Sequence, residues 1–200
     1  MTLVRRIVSL VFILALGVLS AGATEPQTSD AFDYRVLSTT KTSTMQKEMS
    51  QAADEGFRME KVMGGNTAVG GQEVVVIMAR PRSQKSTPRY AYKLLATKKT
   101  STMQKELQEV GDEGFDYRDQ TVFDSAFGGD EVVVILEAQR DTQDHVRFEY
   151  KLLATTKTST MEKELQDAGD LGFKLVGMTV SKTSFGGKEI VSILRKEVAR

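Results

Sequence analysis

One stretch of sequence occurs three times at a fixed spacing, and this repeat constrains the fold more than any other feature. Residues 151–165 recur as residues 93–107 with only two changes, and in a more altered form as residues 35–49. The copies begin at positions 35, 93 and 151, so each follows the previous one by 58 residues without a gap. An ungapped period of this kind is typical of tandem structural repeats. The chain is therefore predicted to contain three copies of one small unit.

Each copy has the pattern of a short strand followed by a helix. In the third copy, apolar and charged residues alternate over residues 148–152, which is the period of a half-buried strand. Met161, Leu165 and Ala168 follow at the spacing of one helix face. We expect the helix to end at Gly172, because glycine adopts the left-handed C-terminal conformation without steric cost. The other two copies carry the same pattern.

Two further strands complete each copy, and the last of them is unusually apolar. Residues 74–78 and 132–136 are unbroken apolar runs, and a strand that is apolar on both sides is usually buried on both faces. The helix of the unit can cover only one face, so another repeat is expected to cover the other. The predicted fold class is α+β: three tandem β-α-β-β repeats, each a small antiparallel sheet with one helix, with the sheets packed against one another. Such packing would stabilise units that are marginal alone.

The segments around the repeats are short and polar, apart from the first. Residues 1–23 have two arginines, an apolar run and a small-residue cleavage pattern, which are typical of a signal peptide. A bacterial periplasmic or secreted protein is therefore expected, with no stable membrane insertion after cleavage. The predicted boundaries are a signal peptide at 1–23, a leader at 24–31, repeat 1 at 32–80, a linker at 81–88, repeat 2 at 89–138, a linker at 139–146 and repeat 3 at 147–200.

The composition argues against most enzymatic chemistry. The chain has no cysteine, and its one histidine is His145, in a predicted linker. Thiol chemistry, histidine acid–base catalysis and a Cys/His zinc site are therefore excluded. Carboxylates at the helix ends, such as Asp112 and Glu113, are interpreted as solvated, because no further cluster completes an oxygen cage for a metal. The near balance of 27 basic and 27 acidic residues argues against a nucleic-acid partner. No enzyme activity, cofactor or metal is predicted.

The candidate site is the polar segment at the start of each helix. These residues are identical in the three copies, whereas residues 58–67, 116–125 and 174–183 share no residue across all three. The spacing of each serine to a Gln or Glu three residues later predicts a helix-capping box. The alternative is that the lysine, the hydroxyls and the free N–H groups of the helix bind an anion. The candidate ligand-binding residues are Lys41, Thr42, Ser43, Thr44, Lys99, Thr100, Ser101, Thr102, Lys157, Thr158, Ser159 and Thr160.

Three segments of each copy together resemble a known family. The Glu-Tyr-Lys-Leu-Leu opening at 149–153, the helix exit at 165–176 and the Val/Ile-rich last strand are similar to the DUF4177 family of small bacterial proteins. Residues 110–115, Val-Gly-Asp-Glu-Gly-Phe, are the closest copy of that family's glycine-containing turn, with phenylalanine where the family has tryptophan. The resemblance implies a β-α-β-β fold and no activity. A more distant likeness in topology to periplasmic βαββ stress-type domains and to dodecin-like flavin binders is a weak argument for function.

These observations lead to two hypotheses about function. The first is an exported, non-enzymatic binding or scaffold protein of unknown ligand that presents one module three times. The alternative is a binder of a small ligand, either an anion or a planar cofactor, which uses the loops between first strand and helix or the clefts between repeats. The expected partner is accordingly an unknown protein or a small anionic ligand, and self-association is possible for such repeats.

Overall fold

The fold is known from a computed structural model of the chain. The structure describes residues 31–68, 71–83, 88–97, 99–124, 130–141, 146–182 and 187–198. The predicted signal peptide, most of the predicted leader and the histidine of the second linker lie outside this part of the chain.

The described elements repeat three times in the order strand, helix, strand, strand. They are β1 (Phe32–Thr39), α1 (Thr42–Asp54), β2 (Arg58–Thr67), β3 (Gly71–Pro81), β4 (Tyr90–Thr97), α2 (Thr100–Asp112), β5 (Asp116–Asp124), β6 (Asp130–Gln139), β7 (Arg147–Thr155), α3 (Thr158–Asp170), β8 (Lys174–Lys182) and β9 (Lys188–Val198). Each repeat forms one antiparallel three-stranded sheet, with orders β1-β3-β2, β4-β6-β5 and β7-β9-β8. The predicted α+β repeat fold is confirmed.

Each helix ends where the sequence predicts. Gly56, Gly114 and Gly172 have φ angles of 88°, 89° and 85°, in the left-handed region where other residues are strained. In the first repeat the N–H of Phe57 donates to the carbonyl of Ala52, and the N–H of Gly56 donates to that of Ala53. This pair of bonds is a Schellman motif, and the other two helices end with the same bonds. The local sequence alone therefore fixes the turn from helix to strand.

The middle strand of the second sheet is buried on both faces, as its apolar run predicts. Val133 and Ile135 belong to a core that also contains Met45 and Met49 of α1. Val132, Val134 and Leu136 alternate with them and face the other way, into a second core built around α2. The first core thus crosses the boundary between repeats 1 and 2, and the second crosses the boundary between repeats 2 and 3. The repeats form one continuously packed array.

The sheets of successive repeats pack against one another, and the helices add a second set of contacts between repeats. The sheets meet mainly along β2, β5 and β8, with smaller contacts of β3 with β5 and of β6 with β8. Elsewhere α1 lies against β4, and α2 lies against β7. Helices α1 and α2 therefore each cover their own sheet and also the first strand of the next repeat, whereas among the described elements α3 contacts only its own sheet. Hydrophobic periodicity shows which helix face is apolar, but it cannot show how many sheets that helix will contact.

The helices also cover the open edges of the following sheets. Strands β4 and β7 are edge strands, whose unpaired backbone groups need partners. The Oε1 atom of Gln46 accepts the N–H of Leu94 at 2.9 Å. Likewise, Oε1 of Gln104 accepts the N–H of Leu152 at 2.7 Å, and Nε2 of the same glutamine donates to the carbonyl of Tyr150 at 2.9 Å. A side chain of each repeat thus completes the hydrogen bonding of the next.

Close packing at the second junction explains why α2 contains a glycine, Gly111, in its last turn. A Cβ added to Gly111 would overlap the carbonyl oxygen of Phe148 and lie 2.8 Å from Cδ2 of Tyr150. At the equivalent Gly169 in α3, an added Cβ would meet nothing within 4 Å. The same residue type is therefore required sterically in α2, whereas no described contact requires it in α3.

This contrast predicts opposite effects of one substitution. Gly111→Ala is expected to lower the free energy of unfolding by about 1–3 kcal/mol, because overpacking against backbone forces the junction apart. Gly169→Ala is expected to raise it by up to ~1 kcal/mol, the gain in helix propensity. Urea unfolding at low protein concentration measures both values. Equal stabilisation by the two substitutions would contradict the close contact between α2 and β7.

Candidate functional site

The helices begin at a different residue from the one that the sequence predicts. Each helix starts at the threonine before the predicted capping serine, and Lys41, Lys99 and Lys157 occupy the N-cap positions without a side-chain cap bond. Ser43 and its two equivalents therefore lie inside the first turn, and the predicted capping box is wrong. The physical reason is a local turn, in which Oγ1 of Thr39 accepts the N–H of Lys41 at 3.1 Å. The later repeats contain the same turn.

The three predicted lysines have one backbone conformation and lie at the surface. Their φ and ψ angles are −127° and 120° at Lys41, −119° and 124° at Lys99, and −121° and 126° at Lys157. All three side chains are exposed, and none forms an ion pair within the described part of the chain. The remaining candidate residues occupy the first helical turns. The structure therefore presents three separate, equivalent groups, one on each repeat, and does not join them into one pocket.

Part of the internal sequence identity has a structural explanation. Met45 and Met103 follow the candidate residues directly and are buried in the two cores. Gln46 and Gln104 bond the edge of the next sheet. The identical exposed residues, chiefly Lys41 and Ser43 with their equivalents, contribute to neither of these contacts. They are the part of the repeated stretch that junction packing leaves unexplained.

A cleft beside the first of these groups lies between repeats 1 and 2. It has a volume of about 350 Å³, and its lining includes Thr42, Ser43, Leu94 and Glu106. The Oε2 atom of Glu106 is buried and accepts no hydrogen bond from a described residue. A carboxylate in the lining disfavours a bound anion, because like charges repel. The cleft is therefore a poor anion site, although the lysine-bearing loop forms its border.

The sequence did not reveal the polar network that joins repeats 1 and 2. Glu137 is only 5% exposed, and its carboxylate accepts hydrogen bonds from Nη2 of Arg58 at 2.7 Å and from the hydroxyl of Tyr92 at 2.8 Å. The same hydroxyl accepts the N–H of Met59 at 2.9 Å. Burial, and secondarily the nearby Glu137 charge, raise the pKa of Tyr92 well above its usual range. The tyrosine therefore remains a neutral hydrogen-bond donor at physiological pH.

The junction between repeats 2 and 3 uses the same positions with opposite charges. Asp116 aligns with Arg58, and Arg195 aligns with Glu137, and these two residues form the ion pair of the second junction. The buried Tyr150 hydroxyl donates there to the carbonyl of Phe115 at 2.9 Å. A repeat joined in the wrong order would place Arg58 against Arg195. The exchange of charge at both positions is visible in the aligned copies, but the sequence does not show that the two positions pair.

Carboxylates at two of the helix ends form ion pairs with basic residues of the same repeat. Arg35 pairs with Glu55, and Lys93 pairs with Glu113. The hydrogen bond from Arg35 lowers the pKa of Glu55. In the described segments, no group of three or more His, Cys, Asp or Glu side chains could hold a metal ion. No helix there has both the length and the apolar character needed to cross a bilayer.

Comparisons with protein-family models, with curated proteins and with solved structures gave no significant match. The resemblance to the DUF4177 family therefore stays a prediction. The structure itself defines the class of the protein as a tandem-repeat α+β protein, in which the first two helices each pack against two successive sheets.

Proposed function

We propose that the protein is an exported, non-enzymatic scaffold that binds an acidic partner through its three equivalent lysine-bearing loops. One observation carries the proposal. Lys41, Lys99 and Lys157 have the same backbone conformation and remain exposed and unpaired, although the stretch around them is used for packing.

The chemistry of the loops favours carboxylate, phosphate or sulfate groups on the partner. Each loop offers an ammonium group, hydroxyls and a helix N-terminus, all of which interact favourably with negative charge. A single exposed lysine contributes little affinity in physiological salt. Three loops on one packed array can act together on a long acidic partner, because linked contacts raise the effective concentration. A scaffold that repeats one weak site uses this effect.

The proposal predicts that the three lysines matter for binding but not for folding. The triple variant Lys41→Ala, Lys99→Ala and Lys157→Ala is expected to bind polyphosphate, heparin or polyglutamate about tenfold or more weakly, because a multivalent contact is lost. Its melting temperature should stay nearly unchanged, since exposed substitutions usually cost within about 0.5 kcal/mol. Calorimetric titration at low and moderate salt measures the binding, and thermal unfolding measures the stability.

The matched control removes the same charge from the next turn of the same helices. Lys47, Lys105 and Lys163 are also exposed, so their triple alanine variant tests whether net charge alone explains binding. Equal loss in both triple variants, or full binding by the first, would contradict the proposal. A melting temperature that rises with inorganic phosphate or a flavin, at the concentrations that bind, would instead support the small-ligand alternative.

A further inference from the structure

The two ends of the array expose the apolar faces that its internal junctions bury. Among the described residues, the exposed large apolar side chains fall into two groups, and no such side chain lies on the body between them. We call the group on the first sheet the head face and the group on the third repeat the tail face. The head face consists of Phe32, Tyr34, Val36, Met63 and Ile77, and the tail face consists of Leu175, Met178 and Val180. Leu171 is also exposed, but it aligns with the exposed Glu55 and Glu113 and is not part of a junction surface.

The head face corresponds to a surface that is buried in the other two repeats. Tyr34 is 67% exposed, whereas the aligned Tyr92 and Tyr150 are each 3% exposed. Ile77 is 37% exposed, whereas its equivalents in repeats 2 and 3 are fully buried. The difference arises because α1 and α2 cover the later sheets, and no described helix precedes β1. Strand β1 is also an edge strand, and no glutamine in the described part of the chain bonds its backbone.

The tail face corresponds to the surfaces of repeats 1 and 2 that receive the next repeat. Leu175 is 49% exposed, whereas the aligned Met59 is 1% exposed beneath repeat 2. Helix α3 fully buries only Ala168, whereas α1 and α2 each bury four residues. Gly169 leaves the same gap that Gly111 leaves for the backbone of Phe148, and here the gap is empty. Repeat 3 thus has a junction surface without a described occupant.

From these two faces we infer that copies of this chain associate head to tail, with the tail face of one copy covering the head face of the next. The internal junctions specify the contacts. The N–H groups of Tyr150 and Leu152 donate to Gln108 and Gln104. The aligned groups of Tyr34 and Val36 would donate to the partner's Gln166 and Glu162, whose side-chain oxygens can accept both bonds. The gap at the partner's Gly169 would receive the backbone of Phe32.

The surfaces allow this contact but make it weaker than the internal junctions. The Arg58–Glu137 and Asp116–Arg195 ion pairs of the internal junctions have no counterpart. Lys174 would face Ala79 at the aligned positions. At these aligned positions no two like charges would lie opposite each other. Glu162 also lacks the amide donor with which Gln104 bonds the carbonyl of Tyr150. The association is therefore reversible and depends on concentration. A contact between two different faces is heterologous, so it produces either a closed ring or an open filament.

Two single substitutions block the two faces separately. Val36→Glu places a charge on the head face, and Met178→Glu places one on the tail face; both side chains are exposed in the single copy, so the fold is retained. Lys47→Glu, on the exposed side of α1, is the control for added negative charge. Sedimentation equilibrium over a wide concentration range measures the mass of each protein, and circular dichroism checks that each variant is folded.

The wild type and the Lys47→Glu control are expected to increase in mass with concentration. Each blocked variant should stay monomeric at concentrations about tenfold above the wild-type midpoint, since burying an unpaired charge costs more than a tenfold change in affinity. An equimolar mixture of the two variants should form dimers and nothing larger, because each supplies the face that the other lacks. A wild type that stays monomeric throughout, or association that only one variant disrupts, would overturn the head-to-tail contact.

Discussion

Replacing Glu137 by arginine is expected to lower the free energy of unfolding by about 3 kcal/mol. Breaking a buried ion pair typically costs 3–5 kcal/mol, because the remaining charge is left without a partner. Here the new guanidinium would lie against Arg58 and near Arg118, whose Nε is 3.6 Å from the present carboxylate. We take the lower end of that range because the Arg58 side chain is 44% exposed and can turn towards water. The hydrogen bond from the hydroxyl of Tyr92 would also be lost.

A second substitution should recover part of this loss. Adding Arg58→Asp to Glu137→Arg recreates the charge arrangement that Asp116 and Arg195 form at the next junction. Recovery is expected to be partial, because Arg118 stays close, whereas its equivalent in repeat 3 is Val176. Urea unfolding of the wild type, both single variants and the double variant gives the coupling energy, with an expected magnitude of about 2 kcal/mol. If the double variant is no more stable than Glu137→Arg alone, the two junctions are not equivalent.

The sequence was sufficient where local chemistry decides the structure. The glycine at position 56 and its equivalents correctly predicted the end of each helix, because no other residue adopts the left-handed conformation at so little cost. The apolar run at 132–136 correctly predicted a strand buried on both faces, since neither side offers a polar row to water. The helix end depends on residues within one repeat. Burial of the second strand face does not, because Ile77 in the similar run 74–78 of repeat 1 is 37% exposed.

The predicted start of the helix is wrong, because Ser43 and Thr39 both have hydroxyl groups suited to bond the backbone there. Ser43 has a suitable spacing for a helix cap, but the hydroxyl of Thr39 forms a turn at Lys41 first and moves the helix start upstream. The candidate site is therefore a helix N-terminus without a side-chain cap, with an exposed lysine at the N-cap position. Choosing between Ser43 and Thr39 requires the backbone angles, which the pattern of residue types does not contain.

The contacts between repeats are the second feature that the sequence did not predict. The sequence predicts that some neighbour covers the second face of β6, but it does not show that α1 supplies this cover or that Gln46 bonds the next edge strand. The charge exchange between positions 58 and 116 was visible in the aligned copies. Only the structure shows that position 137 lies opposite position 58 and pairs with it. Junction geometry depends on the relative placement of whole repeats, and local periodicity does not determine that placement.

The central conclusion is that the three repeats form one packed array, and it predicts that repeat 3 does not fold alone. Removing repeats 1 and 2 would expose Phe148, Tyr150 and Ile193, which are now buried at the junction with α2. Its own helix α3 fully buries only Ala168. A unit of about 50 residues already has little surface to bury, so the loss of this contact should remove its cooperative stability.

Urea unfolding of residues 147–200 beside the whole protein, with the mass of both measured in the same buffer, tests this conclusion most directly. The packed array predicts that the fragment shows no cooperative transition as a monomer, or folds only when it self-associates, while the whole protein unfolds cooperatively. Should the fragment be a monomer that unfolds cooperatively and is as stable as the whole protein, the repeats are independent domains and the packed array is contradicted.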